Sequence, residues 1–204
     1  MRRRSNNRKV VNTASIVLFS ALFAALTAVG GMIRIPLPLV PVTLQTFFVF
    51  LAAGIFGAKI GLFSQCIYLT IGLIGLPVFS GGGGISYVLQ PQFGYLLGMP
   101  VAALIIGILY KYFLITGEKT PESRNRRIFK TCLIYALGSV IIYAAGILYL
   151  SYYTAHIIKQ NIDVAHLIWV GCILFIPTDV IKIVAASWLT IKIHDLNIID
   201  SSVI

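Results

Sequence analysis

Acidic charge is almost missing from this chain, which has six Asp and Glu against sixteen Lys and Arg in 204 residues. Charged residues of both signs reach only 11%, where soluble domains carry about 25%. That shortage excludes an ordinary water-soluble domain and leaves few carboxyl groups for general acid–base catalysis. No stretch between the apolar runs is long enough for a nucleotide-binding or separate catalytic domain. The glycine run at Gly81–Gly84 is not followed by Gly-Lys-Ser/Thr, so it is not a phosphate loop. Cysteine is scarce too. Cys66, Cys132 and Cys172 lie inside apolar runs at no metal-ligand spacing, which reads as packing residues and not as a disulfide framework. His156, His166 and His194 share no ligand spacing, and Ser80-Gly81 lacks the flanking motif and His partner of an intramembrane serine protease.

Apolar residues are plentiful: 58% of the chain is hydrophobic and mean hydropathy is +0.93. About 20 apolar residues span a bilayer core, so this length holds roughly five to seven helices. The sequence predicts an all-α membrane protein, one transmembrane domain over 1–204. The expected spans are about 13–32, 42–56, 59–76, 93–110, 131–153 and 177–193, six in all. Thr13 to Met32 is longer than a signal-peptide core and has no cleavage site before Arg34, so a retained helix is expected. Arg34 to Pro41 contains three prolines and must be a stiff loop. Gly54, Gly57 and Gly61 permit a tight junction between the second and third helices. Pro177 interrupts the apolar run from His166 to Ile193. Because Pro suits a first helical turn, 166–176 is expected as an extra half-length helix ahead of the last span; a single Pro-kinked helix is the alternative.

The basic residues set the expected orientation. Arg2, Arg3, Arg4, Arg8 and Lys9 form a basic N-terminus within 1–12, and Lys111, Lys119, Arg124, Arg126, Arg127 and Lys130 a basic loop over 111–130. With both termini cytoplasmic, inner segments hold thirteen basic residues and outer segments only Arg34 and Lys159. Such clusters beside apolar runs indicate lipid headgroups and not nucleic acid as the basic partner. The proline-rich loop, the glycine-rich segment and the Pro177 break then share the outer face. Irregular backbone at membrane depth is tolerated only where it is buried in protein or lines a cavity, so their convergence predicts a pocket.

Asp179 is the most pointed residue. A carboxylate within a span costs roughly 2.5–3.5 kcal/mol on insertion scales, so it normally faces inward with a partner. Lys182 follows three residues later on the same helical face. Two readings stand together: an ion pair at a helix N-terminus, and a ligand grip in which Asp179 accepts N–H groups while Lys182 meets an oxygen. Phe79, Ser80, Gly82, Ser86, Tyr87 and Tyr95 offer backbone, polar and aromatic contacts around the glycine run, with Gln90 and Gln92 nearby. Thr43 is either a helix cap or, with Gln45, a polar group reaching the pocket. Ala21 and Ala25, and Ala24 and Ala28, recur four apart, a small-residue pattern that favours close helix packing, and spacing alone assigns it to packing within the protein.

In order, PLPLVPVTLQTFFVFLAAGIFGAKIG, GLIGLPVFSGGGG with a following PQFGYLLG, and the final P-T-D-V-I-K resemble the BioY family, the biotin-specific substrate-binding subunits of energy-coupling-factor transporters. The resemblance implies a six-helix subunit that takes biotin from outside and docks on a membrane scaffold subunit with two cytoplasmic ATPases. It would have no cofactor and no ATPase of its own. It promotes Ala21, Ala24, Ala25 and Ala28 to scaffold docking. Biotin's ureido N–H groups suit Asp179, while Lys182 could serve the ureido oxygen or the carboxylate. No arginine besides Arg34 is expected on the outer side to clamp that carboxylate. Two alternatives remain: an autonomous secondary transporter or facilitator of a small solute or another vitamin, and a small membrane enzyme or assembly protein, for which no catalytic constellation appears.

Overall fold

The computed structural model of the chain describes residues 2–37, 39–116, 123–160 and 162–196. Pro38 of the proline-rich loop, Lys119, and the side chains of Arg2, Arg3, Arg4, Arg8 and Lys9 lie outside the described residues. The structure is helical, with α1 (Arg2–Met32), α2 (Gln45–Ile74), α3 (Phe93–Tyr110), α4 (Arg124–Tyr152), α5 (Val164–Gly171) and α6 (Ile176–Asp195). Among the described residues, five stretches are long and apolar enough to cross a membrane: Thr13–Met32, Gln45–Ile74, Phe93–Leu114, Arg124–Ile157 and Val164–Asp195. Successive helices from α1 to α4 pack on one another, and α6 returns to lie against α2 and α4.

The expected helices 42–56 and 59–76 occur as the two limbs of α2. Gly57 interrupts them with φ 80° and ψ −175°, a conformation closed to side chains of L residues. A Cβ placed on Gly61 would lie 3.0 Å from Ala53 Cα, whereas eight residues along an unbroken helix rise about 12 Å. The chain therefore doubles back at Gly57. Gly107 of α3 presses on this turn, and a Cβ there would meet Ala58 N at 2.3 Å.

The prolines keep 33–44 out of a helix. The segment instead forms a short hairpin of β1 (Arg34–Ile35) and β2 (Val42–Thr43), antiparallel, with Arg34 opposite Thr43 and Ile35 opposite Val42. Leu44 N donates to Gly30 O at 3.0 Å and tethers the hairpin to the end of α1. The capping position of α2 falls on Leu44, so Thr43 is not a cap; its hydroxyl instead donates to Gln45 Oε1 at 2.8 Å. Two further differences concern helix ends. The described part of 111–130 is not a loop, because Lys111–Thr116 continues α3 as a π-helical turn and Arg124–Lys130 begins α4. The last third follows the half-helix expectation: α5 ends at Cys172 (φ −136°, ψ −59°), a 3-10 turn covers Ile173–Phe175, and α6 carries Pro177 in its first turn.

At one end the bundle is pinned by polar contacts between helices. Tyr135 stacks on Phe50 at 5.1 Å and shares a 2.8 Å hydrogen bond with Thr190. Arg124 and Arg127 both pair with Asp195, tying the start of α4 to the end of α6. We expect Gly107→Ala to lower stability by about 1–3 kcal/mol, because rigid backbone must move to admit one methyl group. Thermal unfolding in detergent checks this; an unchanged transition would remove the close backbone approach at the α2 turn.

Candidate functional site

At the other end of the bundle, the hairpin, the glycine-rich segment and the α5–α6 break converge on a cavity. Its apolar wall comes from Val40, Val42, Leu96, Met99, Ile142 and Phe175, with the ring of Tyr95. Thr43, Gln45, Thr46, Ser80, Gln92, Tyr143, Asp179 and Lys182 supply its polar groups.

Asp179 and Lys182 are 5% and 8% exposed, and they form an ion pair across one turn of α6. An isolated charge at this depth would be far too costly, so the pair is wrapped by further polar groups. Lys182 Nζ donates to Thr43 O at 3.0 Å and to Thr46 Oγ1 at 2.9 Å. With Asp179, that accounts for all three N–H groups of the ammonium. Tyr143 of α4 donates to Asp179 Oδ2. Asp179 Oδ1 accepts no hydrogen bond beyond its pairing with the ammonium. A carboxylate oxygen has two acceptor sites, so each oxygen keeps one.

The expected residues separate into two groups. Asp179, Lys182, Thr43, Gln45, Ser80 and Tyr95 all line the cavity. Gln45 is committed on both sides, accepting from Thr43 and donating to Tyr68. Tyr95 presents its ring, while its hydroxyl donates to Gly171 O at 2.7 Å and holds α3 to the end of α5. Phe79, Gly82, Ser86 and Tyr87 sit behind the wall. Phe79 packs between Tyr68 and Tyr87, at 5.3 and 4.6 Å between ring centroids. Gly82 exchanges backbone hydrogen bonds with Phe79, and Ser86 is exposed. Tyr87 is buried and meets Gln92 at 2.9 Å and Ser80 at 3.2 Å. The glycine run has its own packing reason: a Cβ on Gly83 would lie 2.1 Å from Leu76 O. Its bare backbone seats the segment on the end of α2. Arg34 crosses from the hairpin to donate to Ser80 O.

Thr46, Tyr143 and Phe175 were not singled out by sequence. Tyr143 sits inside an apolar helix among many tyrosines, and only packing of α4 against α6 selects it. Thr46 stands next to Gln45 in a polar patch that could have flagged it. The alanines of α1 also divide. Ala24 and Ala28 are 1% and 7% exposed and pack within the bundle, whereas Ala21 and Ala25 are exposed.

A bundle of membrane-length apolar helices with a cavity at one end, bordered by loops and holding a buried ion pair, has the architecture of a solute-binding membrane protein. Comparison with known proteins is specific. The model of the BioY family matches residues 3–197, and the chain belongs to that family. A probable biotin transporter BioY of Lysinibacillus sphaericus is 41% identical over 91% of this chain and 89% of its own length. The biotin transporter BioY of Thermotoga maritima is 34% identical over 88% and 95%. The crystal structure of the S-component for biotin from an ECF-type ABC transporter superposes with a TM-score of 0.76 at 28% identity, covering 93% of this chain and 94% of that one. The chain is thus a multi-pass membrane protein of a transporter family, not of an enzyme family.

Breaking the pair from one side strands a buried charge. Lys182→Met alone is expected to cost about 3–5 kcal/mol, and Asp179→Asn added to it should restore part of that loss. Unfolding of the single and double variants in detergent measures the coupling; strict additivity would mean that the two groups do not depend on each other.

Proposed function

We propose that this chain is the biotin-capturing subunit of an ATP-driven energy-coupling-factor uptake transporter. Asp179 carries the reading: it is a buried carboxylate facing the cavity, and one acceptor site remains on each of its oxygens. Biotin's fused rings present a flat apolar body and ureido N–H donors. Charge-assisted hydrogen bonds from those donors to Asp179 would be stronger than neutral ones. Tyr95, Met99, Ile142 and Phe175 suit the apolar body. Thr43, Gln45 and Ser80 complete the proposed contact set from the wall. Tyr87 would act from behind it by holding Ser80 and Gln92, with Phe79 packed on Tyr87 and Gly82 closing the turn on Phe79; Ser86, exposed, would stand at the outer surface of the same segment. The names of the relatives, all biotin transporters, point the same way.

The proposed topology has six crossings with both termini in the cytoplasm, counting the two limbs of α2 separately and α5 with α6 as one. Asp179 and Asp195 lie sixteen residues apart on α6, about 24 Å along its axis. Asp195 is the anchor of Arg124 and Arg127, so the basic end of the bundle is opposite the cavity. The excess of basic residues reads that end as cytoplasmic and the cavity as outward. A scaffold subunit with two ATPases would dock on the exposed face of α1 that carries Ala21 and Ala25. Ala24 and Ala28 would support that face from inside the bundle.

Asp179→Asn should weaken biotin binding by about 1.5–3 kcal/mol, read by calorimetry on folded protein in detergent. Unchanged affinity would remove Asp179 from the contact set. The alternative of an autonomous secondary transporter is separated by energetics. Uptake in cells or vesicles should follow ATP and persist when the proton gradient is abolished; collapse with the gradient at high ATP would favour the alternative.

A further inference from the structure

We propose that the cavity does not read the ligand's carboxylate: it grips the ureido head, so biotin with its carboxyl converted to a neutral amide is a ligand of comparable affinity. The inference rests on the biotin reading above and concerns which end of the ligand is recognised.

Among the described residues that line the cavity, Asp179 and Lys182 are the only charged ones, and they neutralise each other. The ammonium has no donor left, since Asp179, Thr43 O and Thr46 Oγ1 take its three N–H groups. A ligand carboxylate reaching for Lys182 would have to displace one of these and would approach the Asp179 carboxylate. Arg34 does not line this cavity. It lines the adjoining groove, beside Ile35, Thr178 and Ile181, which shares Val42, Thr43 and Lys182 with the cavity, and there it donates to the carbonyl of Ser80 in the cavity wall. The remaining polar groups are neutral and partly committed: Gln45 to Tyr68, and Gln92 to Tyr87. An anion buried among them would lack the paired donors that offset its desolvation. The carboxylate is therefore left to solvent at the mouth, where charge contributes little, and an amide of the same shape suffers no penalty there.

The test is competition binding on the purified full-length chain in detergent, with biotin and the isosteric biotinamide as probes. The expected result is that biotinamide binds within about tenfold of biotin, less than the loss of a charge-assisted contact would produce. Biotinamide binding more than tenfold more weakly, while biotin binds, would overturn the proposal and leave the biotin reading intact. Failure of both ligands to bind would remove the biotin reading and this inference with it. Arg34→Gln provides a second check: the biotin-to-biotinamide ratio should not change. If the variant loses affinity for biotin alone, Arg34 is the carboxylate's partner and the proposal fails.

Discussion

A buried charge pair governs the architecture. Asp179 and Lys182 are almost entirely withdrawn from solvent, so the fold must bring polar groups to them. The groups come from two places far apart in sequence: the carbonyl of Thr43 at the end of the hairpin with the hydroxyl of Thr46 in the first turn of α2, and the phenol of Tyr143 in α4. Meeting these demands brings the start of α6 against the start of α2 and the middle of α4, and the cavity is the space they enclose. The non-helical backbone is concentrated at this end because hairpin, glycine-rich segment and 3-10 turn all pack on protein there and none must face hydrocarbon.

Away from the pair, the bundle must associate without help from the hydrophobic effect, because lipid is as apolar as leucine. Close backbone contact and inter-helix hydrogen bonds take its place. Gly107 seats α3 on the α2 turn, and Gly54 makes room for the Tyr135 hydroxyl that bonds Thr190. Tyrosines recur in this role: Tyr95 ties α3 to α5, and Tyr68 joins Gln45 behind the cavity. Each gives an apolar ring to the core and one hydroxyl to a neighbour. The wall of the cavity is stiffened from behind by such contacts.

The alanines of α1 divide between two faces of the helix. Ala24 and Ala28 sit against the bundle and let α1 approach α2 closely, while Ala21 and Ala25 leave a shallow outward face on the same helix. The same helix end is tethered to the hairpin through Gly30 and Leu44. A partner packed on that face would therefore contact the helix to which one wall of the cavity is attached.

Much of this was legible in the linear chain. Charge-free runs, prolines that cannot continue a helix, and Pro177 at a first turn located the helices, because the bilayer and backbone hydrogen bonding allow few alternatives. Asp179 and Lys182 stood out because charge is so costly in an apolar run. What only the tertiary structure decided was which neutral groups answer that charge. Thr46 is chosen by its contact with Lys182, 136 residues along the chain, and Tyr143 by its contact with Asp179, 36 residues along; the polar neighbours of Thr46 hint at its role, while those of Tyr143 do not mark it. Phe79, Gly82, Ser86 and Tyr87 lie beside the cavity in sequence yet behind it in space, because the glycine run folds onto the end of α2. Hydropathy and periodicity report each segment's relation to its solvent; which side chains meet across an interface depends on helix rotation and depth, and those are set only when all the helices pack together.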